Sequence, residues 1–387
     1  MNDQFLKFPD DFLWGTSTSA YQVEGGIENC DWSKVYPAGR ACDHYHRCQE
    51  DFDLAKCLNQ NVHRFSIEWS RIEPQQGKFN QREIEHYRKV LLALKRRDIK
   101  SFVTLWHWTI PLWLADIGGW SNKKAIDCFN RYTEKICSEL KDNVEFWIIL
   151  NEPLVYASNS CLRGIWPPKE KNLVSYFLVI KNLIKAHKSA FKIIKKINPN
   201  AQVGIAKNNV YFESYKNRLF NCLLKKIIDW HWNFYFLNQI RNCQDFIGLN
   251  YYFHNRINYG FGRNENKINS DMGWELYPEG VYYVLKELKR YRKPIYITEN
   301  GLADAKDEKR TWYIKGILRN IHRAIQEGVD VKGYLYWSLL DNFEWDKGFK
   351  PRFGLIEINY KNLERKARTS AFEYAKIIKE NGFYINK

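Results

Sequence analysis

The chain has 387 residues, of which 45% are hydrophobic and 16% aromatic. This composition is typical of a folded protein with a large core and excludes a disordered chain. The formal net charge of +16 raises the question of a nucleic-acid partner, because clustered Lys and Arg release counterions from phosphates. The basic residues instead lie in stretches such as 89–100 and 185–196, where apolar residues recur at helical spacing. We therefore interpret them as solvated helix faces and expect no nucleic-acid partner.

The cysteines and the first residues bear on the cellular setting. Nine cysteines follow no repeating spacing, and Met1 to Phe5 contain neither the basic segment nor the apolar run of a signal peptide. We expect a reducing, cytoplasmic setting. No uninterrupted apolar stretch approaches the roughly 20 residues that a membrane helix requires, so we expect a soluble protein without a membrane partner. Whether the chain forms homo-oligomers stays open.

Eight short runs of β-branched or aromatic residues alternate with longer amphipathic stretches. They predict strands at 13–17, 63–68, 101–107, 146–151, 202–207, 246–252, 294–299 and 333–338. Between them, Asn80 with Glu83 three residues later predicts the start of one helix. Another helix is predicted from about Ser175 to Ile197, where Asn198-Pro199 ends it. Because no linker or change of composition interrupts this alternation, it predicts one domain over residues 1–387, a (β/α)₈ TIM barrel.

Two glutamates follow predicted strands at equivalent places. Glu152 stands in Asn151-Glu152-Pro153, and Glu299 in Glu299-Asn300-Gly301. In a (β/α)₈ barrel the active site lies where the strands end, so these carboxyl groups should face one pocket. A facing pair of carboxyl groups is what hydrolysis of a glycosidic bond requires.

Other polar and aromatic residues fall at the same predicted ends. They are Arg64, Glu68-Trp69, His107-Trp108, Asn250-Tyr251-Tyr252 and Trp337. A hydrogen-bonded structural role could explain any one of them. Their concentration at one end of the barrel favours a functional site.

Five motifs, in order along nearly the whole chain, resemble those of glycoside hydrolase family 1, the β-glucosidase and β-galactosidase family. They are Phe12–Gly25, Arg64–Arg71, Asn151–Pro153, Ile297–Gly301 and Trp337–Trp345. The resemblance implies a retaining β-glycosidase without a cofactor. Its substrates would be small β-glycosides or short oligosaccharides with a terminal non-reducing β-glucosyl, β-galactosyl or β-fucosyl residue, cleaved by double displacement through a covalent glycosyl-enzyme.

The resemblance also implies roles for single residues. Glu299 matches the nucleophile and Glu152 the general acid and base, while Asn151 should bind the sugar 2-hydroxyl. Arg64 and Tyr252 should hold Glu299, and the cation should keep the pKa of Glu299 low.

A further group matches the pocket that binds the non-reducing sugar. Its members are Gln22, His107, Trp108, Asn151, Trp337, Glu344, Trp345 and Phe353. The Trp337-Ser338 bond matches a place where the family often has a cis peptide.

Some positions depart from the family pattern. Leu154 stands where many relatives carry an aromatic residue, so we expect no platform for the leaving-group sugar at that position. The segments between Glu152 and Asn250, and between Tyr252 and Glu299, look short, which would leave the pocket mouth open. Asn208 and Asn209 match a position that can touch the leaving group.

Three alternatives remain at this point. Cys42, His44, His46 and Cys48 are of the residue types that bind zinc, but their close, regular spacing differs from that of a zinc finger, and we expect no metal. The barrel could belong to a sugar-binding protein that has lost its chemistry. It could also belong to an enzyme that acts mainly as a transglycosidase.

Overall fold

The computed structural model describes residues 4–260 and 264–385. Eight parallel strands form a closed barrel, each paired with its neighbours in the chain, with the last returning to the first. The strands are β1 (Leu13–Ser17), β2 (Val62–Ser66), β3 (Lys100–Trp106), β4 (Phe146–Asn151), β5 (Gln202–Asn208), β6 (Phe246–Asn250), β7 (Ile295–Asn300) and β8 (Val331–Trp337). The predicted (β/α)₈ TIM barrel is confirmed.

Two predicted strands end two residues earlier than expected. β2 stops at Ser66 because Glu68 caps the short helix Trp69–Ile72, its carboxylate accepting from the Ser70 backbone N–H at 3.1 Å. β6 stops at Asn250, and the next backbone N–H, of Tyr251, donates to the Glu299 carbonyl at 2.9 Å. Both chain segments therefore turn towards the end of the barrel where the site lies.

Helices surround the barrel. The longer ones are His44–Cys57, Gln81–Lys95, Lys124–Leu140, Leu173–Ile197, Leu219–Asp229, Gly280–Leu288, Arg310–Gln326 and Thr369–Glu380. Shorter helices are Ala20–Val23, Trp69–Ile72, Leu112–Asp116, Pro153–Ala157 and Phe236–Ile240. Trp230–Tyr235 forms a π-helical turn between two of them. None of the helices in the described residues is long and apolar enough to cross a membrane.

An asparagine side chain caps the start of each of the two helices predicted above. Asn80 caps Gln81–Lys95 by accepting from the Arg82 backbone N–H at 3.1 Å, whereas Glu83 accepts from the Tyr45 hydroxyl instead of completing a capping box. Asn172 caps Leu173–Ile197 by accepting from the Val174 backbone N–H at 2.8 Å. The helix therefore begins at Leu173, two residues before the predicted start at Ser175.

One cluster of buried side chains inside the barrel includes residues from all eight strands. Its members are Leu13, Val62, Phe102, Ile148, Ala206, Phe246 and Leu335, with Phe146 and Tyr296 packed against them. Phe102 stacks on Phe146 with ring centroids 4.1 Å apart. These side chains fill the interior of the barrel, and the site of such a barrel lies at the carboxyl ends of its strands.

Within the described residues, three strand pairs lie outside the barrel. Gln4–Lys7 pairs antiparallel with Gly382–Ile385 and so joins the two ends of the described chain. Ile356–Asn359 pairs with Glu364–Ala367, and Tyr211–Ser214 pairs with His254–Ile257.

Candidate active site

Glu152 is held by the backbone that follows β4. It takes a left-handed conformation, with φ 44° and ψ 58°, directly before Pro153 begins the helix Pro153–Ala157. Its backbone N–H donates to the Ala206 carbonyl of β5 at 2.8 Å. This turn directs the chain across the barrel end, and only 5% of Glu152 is exposed.

Glu299 lies in β7, paired with Asn250 of β6, and is 4% exposed. A close approach fixes the following segment, because a Cβ on Gly301 would lie 1.8 Å from the Trp337 carbonyl oxygen. Only glycine fits there, so β7 and β8 meet beside the pocket.

Arg64 and Tyr252 both contact Glu299, as the resemblance implied. Arg64 Nη1 forms a salt bridge with Glu299 Oε1, and the Tyr252 hydroxyl donates to Oε2 at 2.8 Å. Burial raises the pKa of Glu299 above its ordinary value, whereas the Arg64 charge and the Tyr252 hydrogen bond lower it. The prediction of a depressed pKa was wrong, because the loss of hydration is the larger effect in this dry site.

Glu152 has no cation among its recorded hydrogen-bond partners. Burial, followed by the charge of Glu299, raises its pKa to about 8, while a hydrogen bond from Asn250 opposes this rise. Asn250 Nδ2 donates to Glu152 Oε1 at 2.8 Å. The raised pKa favours the protonated form of Glu152 near neutral pH, which is the form that a general acid needs.

The side chain of Asn151 hydrogen-bonds to three residues around the two carboxyl groups. Its side-chain oxygen accepts from Arg64 Nη2 at 2.7 Å and from Asn250 Nδ2 at 3.2 Å. Its amide group donates to His107 Nε2 at 3.1 Å. That bond requires the neutral tautomer of His107 with its proton on Nδ1, and burial followed by the Arg64 charge lowers the pKa of His107 well below its ordinary value.

Gln22 and Glu344 meet on the opposite wall. Gln22 Nε2 donates to Glu344 Oε2 at 3.3 Å, to the Phe343 carbonyl at 2.9 Å and to Asn342 Oδ1 at 3.0 Å. Burial, with the charge of Glu299 second, raises the pKa of Glu344 to about 8. The Trp337-Ser338 peptide beside them is cis.

A cavity of about 340 Å³ opens at this end of the barrel. Ten of the twelve expected site residues line it: Gln22, His107, Trp108, Glu152, Tyr252, Glu299, Trp337, Glu344, Trp345 and Phe353. The other two, Arg64 and Asn151, are fully buried and reach the cavity through their contacts with Glu299 and His107. The structure thus brings all twelve together.

Several lining residues were not expected from the sequence. They include Val155, Ser158, Asn159, Arg163, Ile165, Trp166, Trp232, Phe253, Met272, Trp274, Asp346 and Lys347. Most lie in the connections after strands, away from the motifs at the strand ends. Asn208 lines the cavity and accepts from Trp232 Nε1 at 3.2 Å, whereas Asn209 is not among the lining residues. Leu154 is 1% exposed and packs in the core, so it offers no platform.

The side chains of Cys42, His44 and His46 contact other residues of the chain. Cys42 Sγ donates to the Asp341 carbonyl, and His44 Nδ1 lies 2.7 Å from Asp51. The His46 ring lies 5.0 Å from that of Tyr45. Within residues 4–260 and 264–385, no group of three His, Cys, Asp or Glu side chains could hold a metal ion.

Known sequences match this chain over nearly its whole length. The profile of Glycosyl hydrolase family 1 matches residues 4–241 and 233–383. A 1,4-beta-D-glucan glucohydrolase of Thermotoga neapolitana is 33% identical, covering 97% of this chain and 99% of its own. Beta-glucosidase A of Acetivibrio thermocellus is 36% identical, covering 98% and 99%.

The first of these alignments extends over 444 positions, more than the whole chain, so that relative carries segments that this chain lacks. The two profile matches overlap at residues 233–241, between Glu152 and Asn250.

Solved structures give the same result. A beta-glycosidase from Pyrococcus horikoshii is 36% identical, with a TM-score of 0.94 over 98% of this chain and 96% of its own. The Family 1 b-glucosidase from Thermotoga maritima in complex with isofagomine lactam is 31% identical, with a TM-score of 0.92 over 98% and 100%. The resemblance found in the motifs is confirmed: this chain belongs to Glycosyl hydrolase family 1.

Proposed function

We propose that the protein is a retaining β-glucosidase that releases terminal non-reducing β-D-glucosyl residues through a covalent glycosyl-enzyme. One observation carries the proposal. Of two buried glutamates on one cavity, Glu299 contacts a cation and a phenol, whereas Glu152 contacts a neutral amide and has a pKa of about 8. Such divided environments are what a nucleophile and a general acid need.

In the first step, a carboxylate oxygen of Glu299 forms a bond to the anomeric carbon. The bond from that carbon to the leaving oxygen breaks, and Glu152 gives its proton to that oxygen, so a neutral alcohol departs. Arg64 and Tyr252 keep Glu299 oriented for attack through their two contacts with its carboxylate.

In the second step, Glu152 takes a proton from water while the water oxygen bonds to the anomeric carbon. The ester bond to Glu299 breaks, and the carboxylate is restored. The charge of Glu299 is absent from the ester, so one cause of the raised pKa of Glu152 disappears. Glu152 is then ionised more readily and can act as the base.

The glucosyl residue would lie between His107, Gln22 and Glu344. His107 Nδ1 is buried without a hydrogen-bond partner among the described residues, which suits donation to a substrate hydroxyl. Glu344 can meet the 4- and 6-hydroxyls, with Trp337 beneath the ring. We extend the same proposal to β-galactosyl substrates, which differ from glucosyl in the configuration of the 4-hydroxyl, and to β-fucosyl substrates, which also lack the 6-hydroxyl.

The leaving group would lie in the outer cavity. Trp166, Trp232 and Trp274 line this part and offer flat apolar faces suited to a second sugar or an aryl group. The Thermotoga maritima relative has been solved with glucoimidazole and deoxynojirimycin, which supports small sugar-like ligands.

We also propose that the chain works as one catalytic unit in the cytoplasm. The pairing of Gln4–Lys7 with Gly382–Ile385 supports the first point. All nine cysteines are unpaired thiols, which suits a reducing compartment.

Proton NMR of the first-formed sugar tests the mechanism. A β-glucoside should release the β-anomer first, followed by slow mutarotation. An initial α-anomer would exclude the covalent route and the role proposed for Glu299. An aryl β-glucoside that binds but is never turned over would instead favour a sugar-binding protein.

A further inference from the structure

The helix Leu219–Asp229 and the residue after it expose an apolar stripe. Leu219 is 87% exposed, Phe220 55%, Leu223 58%, Ile227 57% and Trp230 53%. Positions three and four residues apart lie on the same side of a helix, so these side chains form one continuous face. An ordinary outer helix of a barrel buries such a face and exposes its polar one.

A second stripe lies on the neighbouring helix Leu173–Ile197. Leu173 is 61% exposed, Val174 68%, Phe177 51% and Leu178 41%. The turn that follows Leu219–Asp229 contacts this helix at His231, whose Nε2 lies 2.7 Å from the Tyr176 hydroxyl and whose ring lies 6.2 Å from that of Phe177.

We call these nine side chains the apolar patch. They are nine of the sixteen large hydrophobic side chains that the described residues expose. Single exposed hydrophobic residues are common on proteins, but a concentration of this kind marks an interaction surface.

Cations predominate around the apolar patch. The exposed cations of its two segments are Lys171, Lys181, Lys185, Lys216, Arg218 and Lys226. The segments 171–188 and 215–235 contain a single acidic residue, Asp229. Asp229 is 8% exposed and bonded to Lys225 and Asn233, so it adds no free negative charge to the surface.

We propose that the apolar patch docks the protein on an anionic lipid surface, with both helices lying in the membrane interface. Helices that present Leu, Phe and Trp together with Lys and Arg are suited to that position, where the apolar side chains enter the acyl boundary and the cations meet lipid phosphates. The absence of a membrane-spanning helix from the described residues does not bear on this mode of binding.

A second copy of the chain fits less well. In a two-fold interface the same patch faces itself, so its cations would face their own copies, and each chain carries a formal charge of +16. A peptide partner usually needs a groove. Here Leu219 and Val174 project into solvent, 87% and 68% exposed.

Sedimentation of the full-length protein with lipid vesicles tests the proposal. Binding to vesicles containing phosphatidylglycerol should be at least about tenfold tighter than to phosphatidylcholine alone, and it should weaken with salt. Combined Leu223→Ser, Ile227→Ser and Trp230→Ser changes should weaken it at least about tenfold.

The chain offers a matched control. Trp312 and Phe372 are 47% and 56% exposed on two other helices, so Trp312→Ser with Phe372→Ser removes similar apolar area elsewhere. This control removes two exposed side chains where the patch variant removes three, and it should bind as the unchanged protein does. Both variants should retain turnover of a soluble aryl glucoside, which reports that the barrel is folded.

Three outcomes would overturn the proposal. They are no binding to phosphatidylglycerol vesicles, equal binding to neutral ones, or equal loss in the control variant. A dimer detected by light scattering and lost only in the Leu223, Ile227 and Trp230 variant would assign the apolar patch to a second copy. None of these outcomes bears on the proposed hydrolysis, since these residues do not line the cavity.

Discussion

The amide of Asn250 donates a hydrogen bond of 2.8 Å to Glu152 and also lowers the pKa of Glu299 through hydrogen bonding. Its own oxygen accepts from Thr298 Oγ1 at 2.7 Å, which fixes the orientation of the amide. Asn250 thus joins the two carboxyl groups and moderates the pKa of each.

Replacing Asn250 with alanine should raise the pKa of Glu152 further, because the amide hydrogen bond that lowers it is lost. The alkaline limb of kcat/KM should move to higher pH, and kcat should fall about tenfold. A pH profile of an aryl β-glucoside checks this. An unchanged alkaline limb, with kcat alone reduced, would mean that Asn250 acts only through packing.

Replacing Glu299 with alanine should lower turnover at least about a thousandfold, since no nucleophile remains. Azide or formate can enter the vacated space and attack from the same side, so rescue should give an α-configured product. NMR of the glycosyl azide measures the configuration. A β-azide from this variant would contradict the role of Glu299.

Replacing Glu152 with alanine should affect the two steps differently. The first step should persist for good leaving groups such as dinitrophenol, because these need no proton, while hydrolysis of the glycosyl-enzyme slows. A burst of phenol should therefore precede slow turnover. Azide should accelerate the second step and give a β-glycosyl azide. Equal loss with good and poor leaving groups would argue against acid catalysis by Glu152.

The pH dependence follows from the same pair. Glu152 must be protonated for the first step, so activity should fall as pH rises through about 8. Glu299 must be ionised, and its raised pKa should move the acid limb above the ordinary carboxylate range. The bell-shaped kcat/KM profile reports values that belong to the coupled pair. An alkaline limb that stays flat to pH 10 would exclude Glu152 as the acid.

Glu344 should make the pocket reject 6-phosphorylated sugars. A phosphate dianion beside its buried carboxyl group loses hydration without gaining a free cation, because Lys347 is already paired with Asp346 at 2.7 Å. An aryl β-glucoside 6-phosphate should react at least about tenfold more slowly than the plain glucoside. Glu344→Gln should reduce the difference in rate between the plain and the 6-phosphorylated glucoside. Faster turnover of the phosphorylated substrate would show that the assignment of Glu344 is wrong.

Much of the barrel could be predicted because its strands are short β-branched runs that alternate with amphipathic helices. Glu152 and Glu299 could be assigned to one pocket because parallel strands present their carboxyl ends on the same face. The motif resemblance then placed Gln22 and Glu344 in the same pocket. Their distance along the chain alone would not have predicted that they meet.

Other features depend on distances between remote segments. Trp166 and Trp232 line the cavity because the segments that carry them fold over the end of the barrel. No local sequence pattern predicts that placement. The pKa of Glu299 was predicted in the wrong direction because burial, which only the folded chain determines, outweighs the contact with Arg64.

The sequence by itself determined the strand and helix pattern, the family and the pair of glutamates, because these follow from local periodicity and short motifs. The tertiary structure alone decided the hydrogen bond from Asn250 to Glu152, the raised pKa of Glu152 and the exposure of the apolar stripe that includes Leu223. Hydrogen bonding and burial depend on which distant residues become neighbours, and that information exists only when the chain has folded.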